Sequence, residues 1–327
     1  MNSSTFFFRS QCLKNFGAHR NIHCLRFMKK RSFSISGFTC HENPLGILQT
    51  PKKPDGIKKG TSPTDRTRVE SNMRRGLPTK RGIVGVKHVI AVASGKGGVG
   101  KSTLAVNLAL AVASFRKHVG ILDADIFGPS IPRLMNLKGE PQVHEKDNNL
   151  MPLVNFGVKA MSIGFMIGDD APVVWRGLMV YWGELDLLVI DMPPGTGDTQ
   201  LTISQQVILD GVVIVSTPQD IALIDARKGV NMFKKVDVPI LGMVQNMSLF
   251  VCPNCQHKTH IFGNDGVIET SKEMDTDYLG DIPLDASICE LSDLGTPIVV
   301  ARSDSYNAEC YKDIARKVMN KVGIKFD

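Results

Sequence analysis

The sequence predicts an α/β fold, in which helices cover both faces of a doubly wound, mostly parallel sheet. Continuous apolar segments of strand length recur along the chain, as strands that are buried on both faces require. Segments of helix length separate them, and a strand–helix–strand order implies parallel strands joined by right-handed crossovers. The predicted strands are VKHVIAVAS (86–94), HVGILDAD (118–125), LDLLVIDMP (185–193), GVVIVSTP (211–218) and VPILGMVQNM (238–247).

The first 82 residues differ in composition from the rest of the chain. They carry 17 Lys and Arg against 4 Asp and Glu, whereas residues 83–327 carry 22 against 28. The first 41 residues contain seven basic residues, no acidic residue and many Ser and Phe, which is typical of a mitochondrial transit peptide. A basic disordered tail is the alternative. We expect a transit peptide over 1–33, a flexible basic linker over 34–82, a folded domain over 83–327 and residence in the mitochondrial matrix.

Charge, hydropathy and cysteine content argue against several classes of protein. The folded part is acidic, which argues against nucleic acid as its main partner. The chain contains no run of about 18 apolar residues, so we expect no transmembrane helix and at most peripheral membrane association. Its seven cysteines are odd in number and irregular in spacing, which argues against a disulfide framework.

The clearest motif is GKGGVGKST, residues 95–103, which lies between a predicted strand and a predicted helix. It fits the phosphate-loop pattern G-x-x-x-x-G-K-S/T, in which backbone N–H groups and a helix N-terminus surround phosphate oxygens. Lys101 is expected to neutralise the β- and γ-phosphates of ATP, and Ser102 to ligate Mg²⁺. The residues predicted to bind nucleotide here are Gly95, Lys96, Gly97, Gly98, Val99, Gly100, Lys101, Ser102 and Thr103.

Carboxylates at the ends of two predicted strands complete the candidate nucleotide site. Asp191 ends one strand, where it could hold magnesium through water. Asp123 and Asp125 end another, and residues two apart in a strand share a face. We expect one of this pair near magnesium and the other, Asp125, near the attacking water. Solvated loop carboxylates are the alternative.

The second lysine of the loop, Lys96, carries a family resemblance. GKGGVGKST resembles the deviant Walker A motif of the ParA/MinD-like P-loop ATPases. In that group the extra lysine contacts nucleotide phosphates across a dimer interface and stands in for an arginine finger. The resemblance therefore implies a sandwich homodimer with ATP at its seam, and a catalytic role for Lys96. A lysine with no role in a flexible loop is the alternative.

Further stretches over about residues 84–305 are similar to the Mrp-type iron–sulfur carrier branch of these ATPases. They are LDADIFGPSIP, VVWRGLMV, IDMPPGTGD, STPQDIALIDARKG, QNMS, CPNC, FGNDG and LGDIPLD. The likeness implies that PPGTGD senses the γ-phosphate and that Asn246 lies beside the adenine. With the transit peptide, it points to the mitochondrial members that supply clusters to respiratory complex I.

The pair Cys252 and Cys255, in CPNC, can grip one metal ion or one edge of a cluster. A 4Fe–4S cluster normally has four cysteine ligands, so a two-fold dimer would have to supply the other pair. Three alternatives remain: zinc held with His257 and His260 in one chain, a redox dithiol, and a structural pair.

The sequence departs from the family pattern between Trp175 and Leu187. Here the family has a helix of about three turns, and a parallel crossover needs a dozen or more residues. Either this chain lacks a helix that covers one face of the sheet, which would expose apolar sheet surface, or the gene model behind the sequence has lost an exon segment. The last segment, 305–327, is expected to be a helix that packs on the sheet or, alternatively, anchors to a membrane.

These features predict an ATP-dependent scaffold or carrier that delivers a 4Fe–4S cluster to mitochondrial apoproteins, with complex I subunits as the expected recipients. The expected ATPase activity is weak. One alternative is a ParA/MinD-like partitioning or membrane-associated ATPase with a zinc-binding CxxC. Another is a metabolic nucleotide enzyme with a zinc knuckle.

Overall fold

The computed structural model describes residues 80–125, 128–144, 149–162, 165 and 180–326. The chain divides into two units, 1–61 and 62–327, and all described residues belong to the second. The predicted transit peptide and the predicted linker up to residue 79 lie outside the described residues. Arg81, placed in the predicted linker, already forms a bridge with Val207, and Ile83 is buried.

The described residues form one nine-stranded sheet in the order β3-β4-β2-β5-β1-β6-β7-β8, with β9 also paired to β7. Strands β3 and β8 are antiparallel to their neighbours, and all other pairs are parallel. The strands are β1 (Val86–Ser94), β2 (Val119–Asp123), β3 (Leu153–Asn155), β4 (Val158–Ser162), β5 (Leu185–Asp191), β6 (Gly211–Ser216), β7 (Ile240–Val251), β8 (Lys258–Thr259) and β9 (Tyr278–Leu284).

Two apolar clusters, one on each face of the sheet, form the core. Along β1, Ile90 and Val92 belong to one cluster, whereas Val89, Ala91 and Ala93 belong to the other. This alternation follows from the two-residue period of a strand and confirms the predicted doubly wound sheet. The helices are α1 (Lys101–Ser114), α2 (Ile131–Leu134), α3 (Asp198–Gln206), α4 (Asp220–Lys235), α5 (Gly266–Glu273), α6 (Ala286–Asp293), α7 (Ile298–Ala301) and α8 (Tyr306–Val322).

The terminal helix α8 packs on the core, as the first of its two interpretations predicted. Its apolar face, which includes Ile314 and Val318, is buried in the same cluster as α1. Among its basic residues, Lys317 donates to the carbonyl oxygen of Leu279 at 2.6 Å, and Arg316 lies over the ring of Phe115. A membrane anchor would need this apolar face free, so the geometry does not support the anchor interpretation.

By its length in the sequence, the stretch between Trp175 and Leu187 has too little room for a crossover helix. Residues 175–179 of this stretch lie outside the described residues, and residues 180–187 are described. In the described part, Trp182 is fully buried, and its ring edge would be 3.0 Å from a Cβ placed on Gly120 of β2. Its carbonyl oxygen accepts a hydrogen bond from the ammonium of Lys159. Within the described part of this region, the sheet residues Leu122, Met161, Leu188 and Ile190 are all fully buried, so the predicted exposure of apolar sheet surface is not observed for them.

Asp285 caps α6 and joins it to α8. Its carboxylate accepts hydrogen bonds from the backbone N–H of Ser287 at 2.7 Å and from the amide of Asn307 at 2.8 Å. Burial alone would raise the pKa of Asp285, but these hydrogen bonds outweigh it and lower the pKa.

We predict that Asp285→Ala lowers the free energy of unfolding by about 1–2 kcal/mol, because α6 loses its N-cap. Asp285→Asn keeps an acceptor and should lose less. Since the folded state lowers this pKa, the advantage of wild type over Asp285→Asn should hold at neutral pH and disappear as the pH falls below about 4. Urea unfolding over a pH series measures both effects, and equal stability of wild type and Asp285→Ala at pH 7 would contradict the cap.

Candidate functional site

The phosphate loop, residues 95–100, joins the carboxyl end of β1 to the start of α1. It forms one wall of an open cavity of about 250 Å³. The opposite walls come from Asp125 and Ser130 after β2 and from Pro194 after β5. The predicted loop therefore lies at the carboxyl edge of the sheet, where open parallel sheets bind their ligands.

Two glycines of the loop are required by close contacts. A Cβ on Gly95 would lie 2.2 Å from the carbonyl carbon of Asp225 in α4, so the loop rests directly on the backbone of that helix. Gly100 has a φ of 85°, and a Cβ there would lie 2.1 Å from the amide nitrogen of Asn246. Larger residues at either position would displace α4 or Asn246.

The phosphate loop and the N-cap of α1 offer free hydrogen-bond donors to the cavity. Gly100 at its N-cap provides no side-chain cap, and no acidic residue lies in the first turn. Among the described residues, the backbone N–H groups of Gly97, Gly98 and Gly100 find no protein acceptor. A helix N-terminus with uncapped N–H groups and a nearby lysine is suited to bind a phosphate group.

Lys101 and Asp191 form a buried ion pair at the base of the cavity. The ammonium lies 2.5 Å from Oδ1 of Asp191 and 3.1 Å from the hydroxyl of Ser102. Burial raises the pKa of Asp191, and the charge of Lys101 opposes that shift. The second carboxylate oxygen, Oδ2, is buried without a hydrogen-bond partner. Such an oxygen beside Ser102 fits a water-mediated or direct contact to Mg²⁺, which prefers oxygen ligands.

Asp123 and Asp125 have different environments, although they are two residues apart. Asp125 lines the cavity. Asp123 is fully buried and accepts hydrogen bonds from the backbone N–H groups of Asp125, Ser130 and Ile131 and from the hydroxyl of Ser162. Burial, together with the charge of Asp191, raises the pKa of Asp123 to about 6. Asp123 thus holds the β2–α2 turn that presents Asp125 and Ser130, and a direct nucleotide contact by Asp123 stays a prediction.

Lys96 and Asn246 take different positions around the loop. Lys96 is exposed at the cavity, and its ammonium has no hydrogen bond or ion pair within the described residues. Asn246 is buried, and its amide donates to the carbonyl oxygen of Val99 at 2.8 Å. Asn246 therefore supports the loop from β7, while its predicted contact with adenine stays a prediction.

The cysteine pair lies in a tight turn that joins β7 to β8. The backbone N–H of Cys252 donates to the carbonyl oxygen of His257 at 3.0 Å, and Gln256 donates back to Cys252 at 2.9 Å. Hydrogen bonds from the backbone N–H groups of Cys255 and Asn254 lower the pKa of the Cys252 thiol. A stabilised thiolate is the form of cysteine that binds metals.

The single-chain zinc hypothesis is not supported by the positions of its ligands. In the part of the chain that the structure describes, no group of three or more His, Cys, Asp and Glu side chains could hold a metal ion. One of the four proposed ligands, His260, has its Nδ1 3.1 Å from the carbonyl oxygen of Ser248. The two cysteines therefore form an incomplete ligand set within one chain.

The cysteine turn and the phosphate loop project from the same edge of the sheet. Ser94 pairs with Val215, and the next residue of β6, Ser216, pairs with Gln245 of β7. Gln245 is therefore level with Gly95 at the start of the loop. Cys252 follows seven residues later, so at about 3.3 Å per residue the turn extends no more than about 23 Å beyond the loop.

The sequence reasoning missed Ser130 and the backbone of Asp225, whereas Pro194 belongs to PPGTGD, which the family resemblance placed at the γ-phosphate. Ser130 and Pro194 line the cavity, and Asp225 contacts Gly95. The segment FGPSIP, which contains Ser130, could have been assigned to the strand end that faces the loop. The contact with α4 depends on helix packing, and no local signal indicates it.

The family comparison decides between the P-loop groups. The model of the ParA family described as "NUBPL iron-transfer P-loop NTPase" matches residues 85–319. The chain belongs to this NUBPL family. The match contains the phosphate loop, all three predicted carboxylates and the cysteine pair, as the resemblance of the motifs predicted.

The similarity to curated relatives covers most of this chain. The chain is 56% identical over 264 residues to mouse "Iron-sulfur cluster transfer protein NUBPL", covering 76% of this chain and 82% of the mouse protein. It is 51% identical over 256 residues to the Arabidopsis thaliana "Iron-sulfur protein required for NADH dehydrogenase, mitochondrial", covering 75% and 82%. The "Iron-sulfur cluster carrier protein" of Escherichia coli K12 is 48% identical over 248 residues, covering 72% and 67%.

Two solved structures share the fold, and one of them contains a bound nucleotide. A nucleotide-binding protein from Archaeoglobus fulgidus in complex with ADP is 42% identical, with a TM-score of 0.61, covering 69% of this chain and 91% of that one. The Pyrococcus furiosus cell-division ATPase MinD, 19% identical with a TM-score of 0.54, shares the fold.

Among the described helices, none has the length and apolar character needed to cross a membrane.

We predict that Lys101→Ala destabilises the nucleotide-free protein by about 3–5 kcal/mol, because Asp191 is left buried without its partner. Adding Asp191→Asn removes the stranded charge and should recover at least about 1 kcal/mol. Urea unfolding of wild type, both single variants and the double variant measures this cycle. A double variant whose loss of stability equals the sum of the two single losses would show that the pair contributes no coupling energy.

Proposed function

We propose that this protein is an ATP-dependent iron–sulfur cluster carrier that binds a 4Fe–4S cluster and delivers it to mitochondrial apoproteins. The observation that carries the proposal is the position of two sites on one edge of the sheet: a phosphate loop with free donors and a turn with two cysteines. The relatives named as iron–sulfur carriers and transfer proteins support the same function. The cluster is the cargo, and ATP with Mg²⁺ is the bound cofactor.

The described residues fit ATP and Mg²⁺. The triphosphate would lie in the cavity of the loop, with Lys101 at its β- and γ-phosphates. Ser102 and the unpartnered oxygen of Asp191 would hold Mg²⁺, with Asp125 near the attacking water. A second cavity of about 640 Å³ is lined by Leu249 and Phe250, which follow Asn246 on β7, and it would accommodate the base and ribose. The bound ion neutralises phosphate charge, and PPGTGD would sense the γ-phosphate.

A homodimer would complete both sites. Lys96 is exposed at the open side of the cavity and would reach the phosphates of a second chain, as its catalytic role requires. Ile221 and Ile224, on the first turns of α4 beside the loop, are 60% and 51% exposed. Their apolar side chains suit a protein contact next to Lys96. The same two-fold axis would bring two cysteine pairs together and supply the four thiolates of a bridging 4Fe–4S cluster.

The composition and the relatives support a proposal for the compartment and the recipients. A transit peptide over 1–33 and a basic linker over 34–82 would direct the ATPase domain, 83–327, to the mitochondrial matrix. The Arabidopsis relative is named for its requirement in NADH dehydrogenase. We propose apo-subunits of respiratory complex I as recipients and a slow ATPase rate, because ATP serves the transfer rather than a metabolic reaction.

We predict that Lys96→Ala binds ATP with unchanged affinity but loses hydrolysis by at least about tenfold, together with ATP-dependent dimerisation, because the phosphates lose a cation from the second chain. Lys138→Ala removes another exposed lysine and serves as the matched control. Calorimetry, phosphate release and analytical ultracentrifugation measure the three properties. Wild-type hydrolysis and dimerisation in Lys96→Ala would refute the cross-dimer role.

We predict that anaerobic reconstitution loads about four irons per dimer, by the four-cysteine rule for such clusters. Cys252→Ala and Cys255→Ala should each lose the cluster and any cluster-dependent dimer, while ATP binding survives. Cys289→Ala, an exposed cysteine on α6, is the control and should load normally. Iron and sulfide assays with absorbance spectra provide the measurement. A monomer with a full cluster would refute bridging, and tight zinc retained in air without iron uptake would favour a zinc site.

A further inference from the structure

Strand β7 contacts both the phosphate loop and the cysteine hairpin, by which we mean the turn with Cys252 and Cys255 together with β8 and His260. Asn246 contacts the loop, Ser248 contacts the hairpin, and Met247 lies between them. The side chain of Asn246 makes the first contact, and the backbone carbonyl of Ser248 makes the second. The described residues thus contain one short covalent connection between the two candidate sites.

The contact with the loop leaves little freedom. The amide of Asn246 donates to the carbonyl oxygen of Val99 at 2.8 Å. A single carbon added to Gly100 would lie 2.1 Å from the same amide nitrogen. Because of these two contacts, any change in the backbone at Val99 or Gly100 acts directly on Asn246.

The backbone of β7 departs from regular strand geometry at Met247. This residue has a φ of 57°, in the left-handed region that costs a non-glycine residue about 1–2 kcal/mol. The pairing of β7 with β9 also shifts register between Asn246 and Phe250. Such a conformation persists only where the flanking contacts determine it. Met247 therefore separates two segments of β7 that are each held by their own partners.

The contact with the hairpin is made by Ser248. Its hydroxyl donates to Asp281 of β9 at 2.8 Å, and its carbonyl oxygen lies 3.1 Å from Nδ1 of His260. A carbonyl can only accept, so Nδ1 of His260 carries the proton. His260 directly follows β8, and this bond ties the returning arm of the hairpin to β7.

We propose that the segment Asn246–Met247–Ser248 transmits the nucleotide state of the phosphate loop to Cys252 and Cys255, with Ser248 and His260 as positioning residues for the thiols. The proposal rests on the proposed function, since it assigns to ATP a control over the cluster ligands. Movement of Asn246 rotates the peptide at Met247, and the Ser248–His260 bond carries the rotation to the hairpin. Cluster affinity then depends on whether the loop holds ATP.

Thermodynamic linkage makes the proposal reciprocal. If ATP changes cluster affinity by some factor, the cluster must change ATP affinity by the same factor. Couplings between sites are commonly about fivefold or more. In such a carrier the same two cysteines bind the cluster throughout, and ATP changes only how tightly they bind it.

The test uses the full-length protein without cluster and compares alkylation of Cys255 by N-ethylmaleimide with and without saturating Mg-ATP. Cys289 is also exposed and lies outside the hairpin, so its labelling in the same sample is the internal reference. The variants are Met247→Gly, which removes the backbone constraint, His260→Ala, which removes the bond to Ser248, and His260→Asn, whose amide can replace Nδ1. His257→Ala is the matched control within the hairpin. Calorimetry gives ATP affinity, and ultracentrifugation gives the oligomeric state of each sample.

In wild type we expect Mg-ATP to change the ratio of Cys255 to Cys289 labelling by about fivefold or more. The change should be lost in Met247→Gly and His260→Ala, return in His260→Asn and persist in His257→Ala, all with unchanged ATP affinity and oligomeric state. An ATP effect of wild-type size in both Met247→Gly and His260→Ala overturns the proposal. If wild type binds ATP but its labelling ratio does not change, the coupling is overturned and the carrier function is left intact. If wild type does not bind ATP, both the coupling and the ATP-dependent carrier function are refuted.

Discussion

The buried ion pair between Lys101 and Asp191 is the interaction on which the candidate nucleotide site depends. It joins the last residue of β5 to the first residue of α1, and both side chains are nearly inaccessible to solvent. An isolated charge at this depth would cost several kcal/mol, so each residue requires the other while no phosphate is present. The pair also leaves Oδ2 of Asp191 unsatisfied. The site is therefore built with a lysine ready to bind phosphate and a carboxylate oxygen ready to bind a cation.

The same pair explains the environment of Asp123. Its carboxylate is close enough to Asp191 for the two charges to repel, and this adds to burial in raising the pKa of Asp123 to about 6. Four hydrogen-bond donors offset part of that cost and fix the turn before α2. A divalent cation at Asp191 would relieve the repulsion, because it replaces a negative charge by a net positive one. Cation binding and the geometry of the β2–α2 turn are thus linked electrostatically.

Much of the fold and the phosphate loop could be predicted from sequence because their signals are local. Apolar runs such as the one ending at Asp191 give the strands, and the glycine pattern between β1 and α1 gives the loop. The sequence could not show that Asp123 is buried while Asp125 lines the cavity. This difference depends on the N–H groups of residues 130 and 131, which reach Asp123 only after folding. Burial of the sheet face by Trp182 was likewise unpredictable, because Gly120 leaves space for the ring only in the folded sheet.

The described cysteines differ in a way that favours the hairpin pair as cluster ligands. Backbone N–H groups of the turn lower the pKa of Cys252, whereas burial raises the pKa of Cys310 on α8. Thiolate is the ligand form, so binding of a metal or cluster would cost less in proton release at Cys252 than at Cys310. The turn that lowers this pKa also directs Cys255 outward, where it is exposed. A ligand pair that is both stabilised as thiolate and accessible suits temporary binding of a cargo, because the cluster can leave without unfolding the domain.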